Sequence, residues 1–254
     1  MNLSIAKGLF IKAIRMVKAN KFRLFDVTVW PVMFFLSVTL LTTFLSADTA
    51  ILAAVILGTI GWRALYHFSY EINGLYMEDY WDSAVDHLMI SPVRTRDFIF
   101  AGSAVALAKF VFVTAVVLGL GLFFFQLPPI NVPAFATSLL ILAIFGIELG
   151  VLLLGINYFF GNEAFVITFA ISDVISVLSA VFFPLAVLPG PIQALAAFLP
   201  STHAFSLIKS SYGIEPFDPL LAVATLILWG VLAAAANRWL YNKARKQGKL
   251  LKLK

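Results

Sequence analysis

Cysteine is absent from the 254 residues, which excludes disulfides, thiolate metal sites and a thiol nucleophile. Charge is nearly as scarce, at 12% Asp, Glu, Lys and Arg where a soluble domain carries about 25%. The three histidines, His67, His87 and His203, fall in different segments. His87 beside Asp82 and Asp86 is the one cluster with metal-type ligands, and with no second histidine at ligand spacing no metal site is expected. No G-x-x-x-x-G-K-[ST] run occurs, so the chain holds no P-loop nucleotide site. No serine has a nucleophile-elbow context and no carboxylate pair faces a soluble cleft. Nothing points to catalysis, and no cofactor is expected on this chain.

What remains is apolar. Hydrophobic residues make up 61% of the chain and the mean hydropathy is +0.97, where a soluble domain is about 45–50% apolar. A water-soluble fold of this size would leave large sticky patches, so the solvent for most of the chain is expected to be lipid. The net charge of +5 does not indicate nucleic acid, because of where it sits. Of 18 Lys and Arg, six lie in residues 1–24 and seven in residues 238–254, with five for the stretch between. Basic ends around an apolar body predict a multi-pass protein of the cell membrane with both termini cytoplasmic.

A span needs about 20 mostly apolar residues. Six are expected, at about 27–46, 49–74, 98–126, 134–160, 164–188 and 219–237. A secretory signal is the alternative for the first, but the run is too long and begins too late. The turns at 46–49 and 127–133 lack Lys and Arg and are expected outside. The segment between spans two and three, with Arg94 and Arg96, is expected inside. Gly119 and Gly121 read as points of close helix packing.

Four segments do not span. Residues 1–24 place Ala6, Phe10, Ala13, Ile14 and Val17 at helical spacing among Lys7, Lys12, Arg15, Lys18 and Lys21. This is the pattern of an amphipathic helix lying in the bilayer interface; a plain topology signal is the alternative. From Tyr76 to Pro92, Glu78, Asp82 and Asp86 recur every four residues as one acidic stripe, with Trp81, Val85, Leu88 and Met89 on the other side. Ser91-Pro92 ends the helix. Such a helix can dock into a partner's groove as a lever, or lie on headgroups as a connector. Residues 189–218 hold two apolar stretches too short to cross, punctuated by Pro189, Pro191, Pro200 and Pro216. They read as a re-entrant helical hairpin on the outer side or as a surface loop. The tail after Arg238 reads as a basic lipid anchor.

Four charges fall inside spans: Arg63, Lys109, Glu148 and Asp173. Each costs about 2.5–3.5 kcal/mol at mid-bilayer on insertion scales. By depth, Lys109 matches Asp173 and Arg63 matches Glu148, either as neutralised packing pairs or as parts of a polar path. Glu71 is placed near the inner boundary, in water.

The stretch Ser83-Ala-Val-Asp-His-Leu-Met-Ile-Ser-Pro92 resembles the G-T-L-E-x-L-L-x-T-P motif in the membrane subunit of type-two ATP-binding-cassette (ABC) exporters, with Ser83 and Ala84 in place of Gly-Thr. Phe182-Phe-Pro-Leu-Ala-Val-Leu-Pro189, followed by Pro200-Ser-Thr-His203 and Lys209, is similar to the family's second motif. There Ser201 stands where an apolar residue is usual and Lys209 replaces Arg or Gln. The resemblance covers the whole chain in layout. It implies an all-α polytopic protein with six transmembrane helices, an N-terminal interface helix, a coupling helix at 76–92 and a re-entrant hairpin carrying Pro184, Pro189, Pro200, His203 and Lys209. It also implies pairing with a second six-span subunit, commonly itself, and with separate ATPase subunits that carry the ATP and Mg. Those would dock on Glu78, Trp81, Asp82, Val85, Asp86, Leu88 and Met89 and drive export of an amphipathic drug, lipid or lipid-linked glycan. Two other readings stay open: an ion-coupled secondary transporter using Glu148 and Asp173, and a non-transporting membrane scaffold.

Overall fold

The computed structural model describes residues 3–19, 21–46, 48–82, 93–125 and 127–250. Their regular structure is helical, with no strand among the described residues. Nine α-helices follow in order: α1 Leu3–Ala19, α2 Lys21–Leu45, α3 Thr49–Trp81, α4 Thr95–Phe124, α5 Val132–Phe160, α6 Asn162–Leu178, α7 Gly190–Ala196, α8 Pro200–Ser210 and α9 Pro219–Lys246. Five of them (α2 from Val27, α3, α4, α5 and α9) are long and apolar enough to cross a membrane, as a multi-pass membrane protein requires.

The centre of the bundle is α3 against α5. The first helix of that pair also packs on α2, α4 and α6, the second on α8 and α9. Glycine sets the closeness. A methyl group on Gly102 of α4 would lie 2.6 Å from Ile72 Cα, and one on Gly155 of α5 would lie 2.8 Å from Asn237 Cα on α9. These are backbone atoms that cannot step aside, so only glycine permits the approach. The expected contact glycine Gly119 instead has open space beside it, and Gly121 makes ordinary contact with Ile56.

Three boundaries differ from the sequence expectation. The last span is expected to end near Asn237, but α9 runs on to Lys246 and takes in the start of the basic tail. Span two was expected to end at Gly74, with a separate helix from Tyr76, but α3 runs unbroken through Trp81. Asn73-Gly74 does not break it because the Asn73 side chain is satisfied without leaving the helix. Its Nδ2 donates to Ser69 O at 2.8 Å and to Gly150 O of α5 at 3.2 Å. At 33 residues and 1.5 Å per residue, α3 is about 50 Å long and overreaches a hydrocarbon core of about 30 Å.

Span five was expected to reach Leu188, but α6 stops at Leu178. Val181 N–H donates back to Ser176 O and Ala180 N–H to Val177 O, a Schellman closure. The closing residue is Ala180, at φ 51°, where glycine is usual. No local glycine or proline announces the stop. A distant residue holds it instead: Lys209 Nζ donates to Ala180 O at 2.9 Å and to Phe183 O at 3.0 Å.

The N-terminal helix also departs from a purely lipid-facing role. Its Ala6, Leu9 and Ala13 are buried, and α1 packs on α4 and α2. Lys12 forms an ion pair with Asp79 near the end of α3, so one of the basic residues assigned to headgroups is spent on the protein.

Candidate functional site

Polar side chains gather along α3. Arg63, His67 and Glu71 stand four residues apart, hence on one stripe, and all are buried. Arg63 Nη2 donates to His67 Nε2 at 3.3 Å. His67 Nδ1 lies 3.9 Å from Glu71 Oε1, and Lys109 Nζ of α4 meets that same oxygen at 2.6 Å. Lys109 therefore pairs with Glu71 rather than with Asp173, and Glu71, expected in water, is only 6% exposed. Besides Arg63, Lys109, Glu148 and Asp173, Glu71 is a fifth charge within the helical body, and it joins α3 to α4.

A second polar set joins α3 to α5 and α6. Asn157 Nδ2 donates to Asn73 Oδ1 at 3.1 Å and to Thr168 Oγ1 at 3.3 Å. The Ser69 and Ser172 hydroxyls meet at 3.2 Å. Uncharged amides and hydroxyls were not singled out in the sequence. The signal was their recurrence on α3 at Ser69 and Asn73, four apart.

Beside this strip runs an aromatic face. Arg63 Cζ stands 4.6 Å from the Tyr66 ring centroid and 5.5 Å from that of Trp62. Tyr66 and Tyr70 stack at 5.5 Å with planes 5° apart. Tyr70 meets Phe169 of α6 at 5.1 Å, and Trp81 meets Phe165 edge-on at 4.8 Å. From Trp62 to Trp81 the rail is about 28 Å long at 1.5 Å per residue, nearly the hydrocarbon thickness.

Asp173 is exposed and stands eleven residues into α6, on the stripe with Phe169 and Val177, which are 45% and 58% exposed. Its charge lies within electrostatic reach of Arg63. Glu148 is placed elsewhere, on α5 against α9, where a methyl group on Gly230 would come within 3.0 Å of its Oε1. Glu148 Oε2 is buried with no hydrogen-bond partner. Glu148, the depth match for Arg63, is thus engaged on the α9 side of α5, while Asp173 on α6 feels the Arg63 charge.

Of the expected docking residues, Glu78 and Trp81 lie in the last turn of α3 and Asp82 caps it. Trp81 Nε1 donates to Asn162 Oδ1 at 2.6 Å, tying the end of α3 to the start of α6. Val85, Asp86, Leu88 and Met89 lie outside the described residues.

On the far side of the bundle, the prolines and Lys209 form a clamp. Pro184 precedes a single 3-10 turn, Leu185–Val187, Pro189 precedes α7 and Pro200 begins α8. His203 Nε2–H donates to Ala197 O at 3.0 Å. Buried Lys209 pairs with Glu215 at 2.8 Å. Burial pushes its ammonium pKa down from the ordinary lysine range, and Glu215 opposes that shift. Glu215 also accepts from Ser206 Oγ at 2.7 Å and Leu185 N–H at 3.0 Å. Ser201, unusual in the resemblance, is buried in a 2.6 Å hydroxyl contact with Ser179.

No protein-family model matches the chain, and no curated protein matches it in sequence.

Proposed function

We propose that the chain is the transmembrane subunit of an ATP-driven exporter of the type-two ABC class, pairing with a second six-span subunit and with separate ATPase subunits. The observation that carries the reading is Asp173. A carboxylate exposed along an apolar helix would cost about 2.5–3.5 kcal/mol against lipid. Its side of the molecule, shared with Phe169 and bordered by Tyr66 and Tyr70, therefore belongs against a partner or a polar path. A facing copy of the same surface would enclose a channel with aromatic walls and scattered charge, suited to amphipathic cargo.

In this reading α6 is a sixth span that needs the 179–188 segment to complete its crossing. The α7–α8 pair is the outer re-entrant element, latched by Lys209 and Glu215. The end of α3 continues toward the coupling segment at 83–92. Because Trp81 is tied to Asn162 and Lys12 to Asp79, movement imposed there by an ATPase would be passed to α6 and α1 together.

Glu148 supports a second reading, an ion-coupled transporter, since its buried oxygen has no partner. One experiment separates the two. The chain is purified in mild detergent from its native membrane and its companions identified by mass. A stoichiometric soluble ATPase, with flux in proteoliposomes that needs ATP and is reduced by Asp173→Lys, supports the exporter. A folded chain alone, with flux that follows an ion gradient and is lost in Glu148→Gln, overturns it.

A further inference from the structure

The end of the bundle that carries the last turn of α9 contains a cavity of about 390 Å³, walled chiefly by Arg94, Thr95, Arg96, Phe98, Tyr158 and Tyr241. Three helices meet there: the start of α4, the last turn of α5 and the second-last turn of α9. Arg94 and Arg96 are exposed, and among the described residues no carboxylate stands within ion-pair distance of either. The acidic residue nearest in sequence, Asp97, is buried and accepts from the Arg94 backbone N–H at 2.9 Å.

The aromatic wall is closely packed. Tyr158 is 2% exposed and is held edge-on between Tyr76 at 4.8 Å and Tyr241 at 5.3 Å. Among the described residues its hydroxyl meets only Thr95 Oγ1, at the 3.5 Å limit of a hydrogen bond. Lys243 and Lys249 stand over the ring of Phe159, the next residue in sequence, at 4.9 Å and 3.9 Å.

We propose that this cavity binds a phosphate ester, held by the guanidinium groups of Arg94 and Arg96 and by the hydroxyls of Thr95, Tyr158 and Tyr241. Arginine forks match paired phosphate oxygens, and each hydroxyl supplies a further donor. Basic pockets between membrane helices at the bilayer surface take anionic lipid headgroups, and Phe98 with the two tyrosine rings offers an apolar wall for the carbon backbone of such a lipid. The same chemistry would accept soluble phosphate. The inference is independent of whether the chain partners an ATPase.

The test is native mass spectrometry of the full chain in mild detergent with phosphatidylglycerol against phosphatidylcholine. The wild type is expected to retain the anionic lipid about tenfold more tightly, or about 1.4 kcal/mol. Arg94→Ala with Arg96→Ala is expected to bring the two lipids level. Lys7→Ala with Arg15→Ala removes the same charge from exposed positions of α1, where single side chains meet headgroups without a cavity, and is expected to leave most of the preference in place. Millimolar inorganic phosphate that displaces the lipid and raises the unfolding temperature identifies soluble phosphate as the source; phosphate without effect identifies the headgroup. An undiminished preference in the arginine double variant, or an equal loss in the α1 control, overturns the proposal. Should the double variant fail to fold, Tyr241→Phe replaces it: several-fold weaker retention is expected, and unchanged retention overturns the site.

Discussion

Helices α3 and α9 are both long, both pass the length and apolarity test for a span, and sit in opposite circumstances. The less apolar one, α3, is wrapped by α2, α4, α5 and α6 and carries Arg63, His67, Glu71 and Asn73. The more apolar α9 packs mainly on α5 and leaves Leu220, Val223, Ile227 and Val231 exposed. In water the more apolar helix would be the buried one. Here the surroundings are apolar too, so polarity concentrates where protein can satisfy it.

The sharpest way to break the contrast is to remove one partner of the charge pair on α3. Lys109→Met leaves Glu71 buried without its lysine and with only the His67 ring beside it, and is expected to cost about 3–5 kcal/mol. Adding Glu71→Gln to it should recover most of that loss. The check is the midpoint of unfolding by a denaturing detergent. A double variant no better than the single would mean that the cost lies in packing rather than in the orphaned charge.

Matched truncations come next. Ile72→Ala on α3 opens a cavity at a residue with no exposure and is expected to cost about 2–5 kcal/mol. Ile227→Ala on α9 removes the same atoms from a side chain 64% exposed. It should change stability by less than about 0.5 kcal/mol, since lipid replaces the lost contacts. Equal effects on thermal unfolding in lipid nanodiscs would show that α9 is covered by a partner rather than by lipid.

The smallest effects concern glycine. Gly102→Ala presses on the Ile72 backbone and is expected to cost about 1–3 kcal/mol. Gly119→Ala, on the same helix with nothing within 4 Å, should be neutral or stabilise by up to about 1 kcal/mol. Helix backbone that simply shifts to accept Gly102→Ala would appear as unchanged thermal stability.

The same contrast explains which parts of the site were legible. Arg63, Lys109, Glu148 and Asp173 stood out because charge within an apolar run is rare, and all four lie in helices. Their partners did not stand out. Depth matching paired Lys109 with Asp173, but two residues at one depth touch only if their helices are neighbours and their faces meet, and α4 lies beside α3, not α6. Glu71 was discounted for its nearness to a helix end at Gly74 that α3 in fact overruns by about two turns, to Trp81. The stop of α6 at Leu178 was hidden for a related reason. Ala180 accepts a left-handed conformation because Lys209, far along the chain, bonds the carbonyls it presents.

Composition alone determined that this chain is helical and bound for lipid, because an apolar majority with charge swept to the two ends has few other stable solutions. Periodicity marked where most helices begin and where charge interrupts them, because these are properties of one helix at a time. Only the tertiary structure decided which charges neutralise one another, which glycines carry close contacts and which exposed side chain lies on a face that lipid would reject. Those are properties of two or three helices together, set by distances of a few ångströms that no single segment encodes.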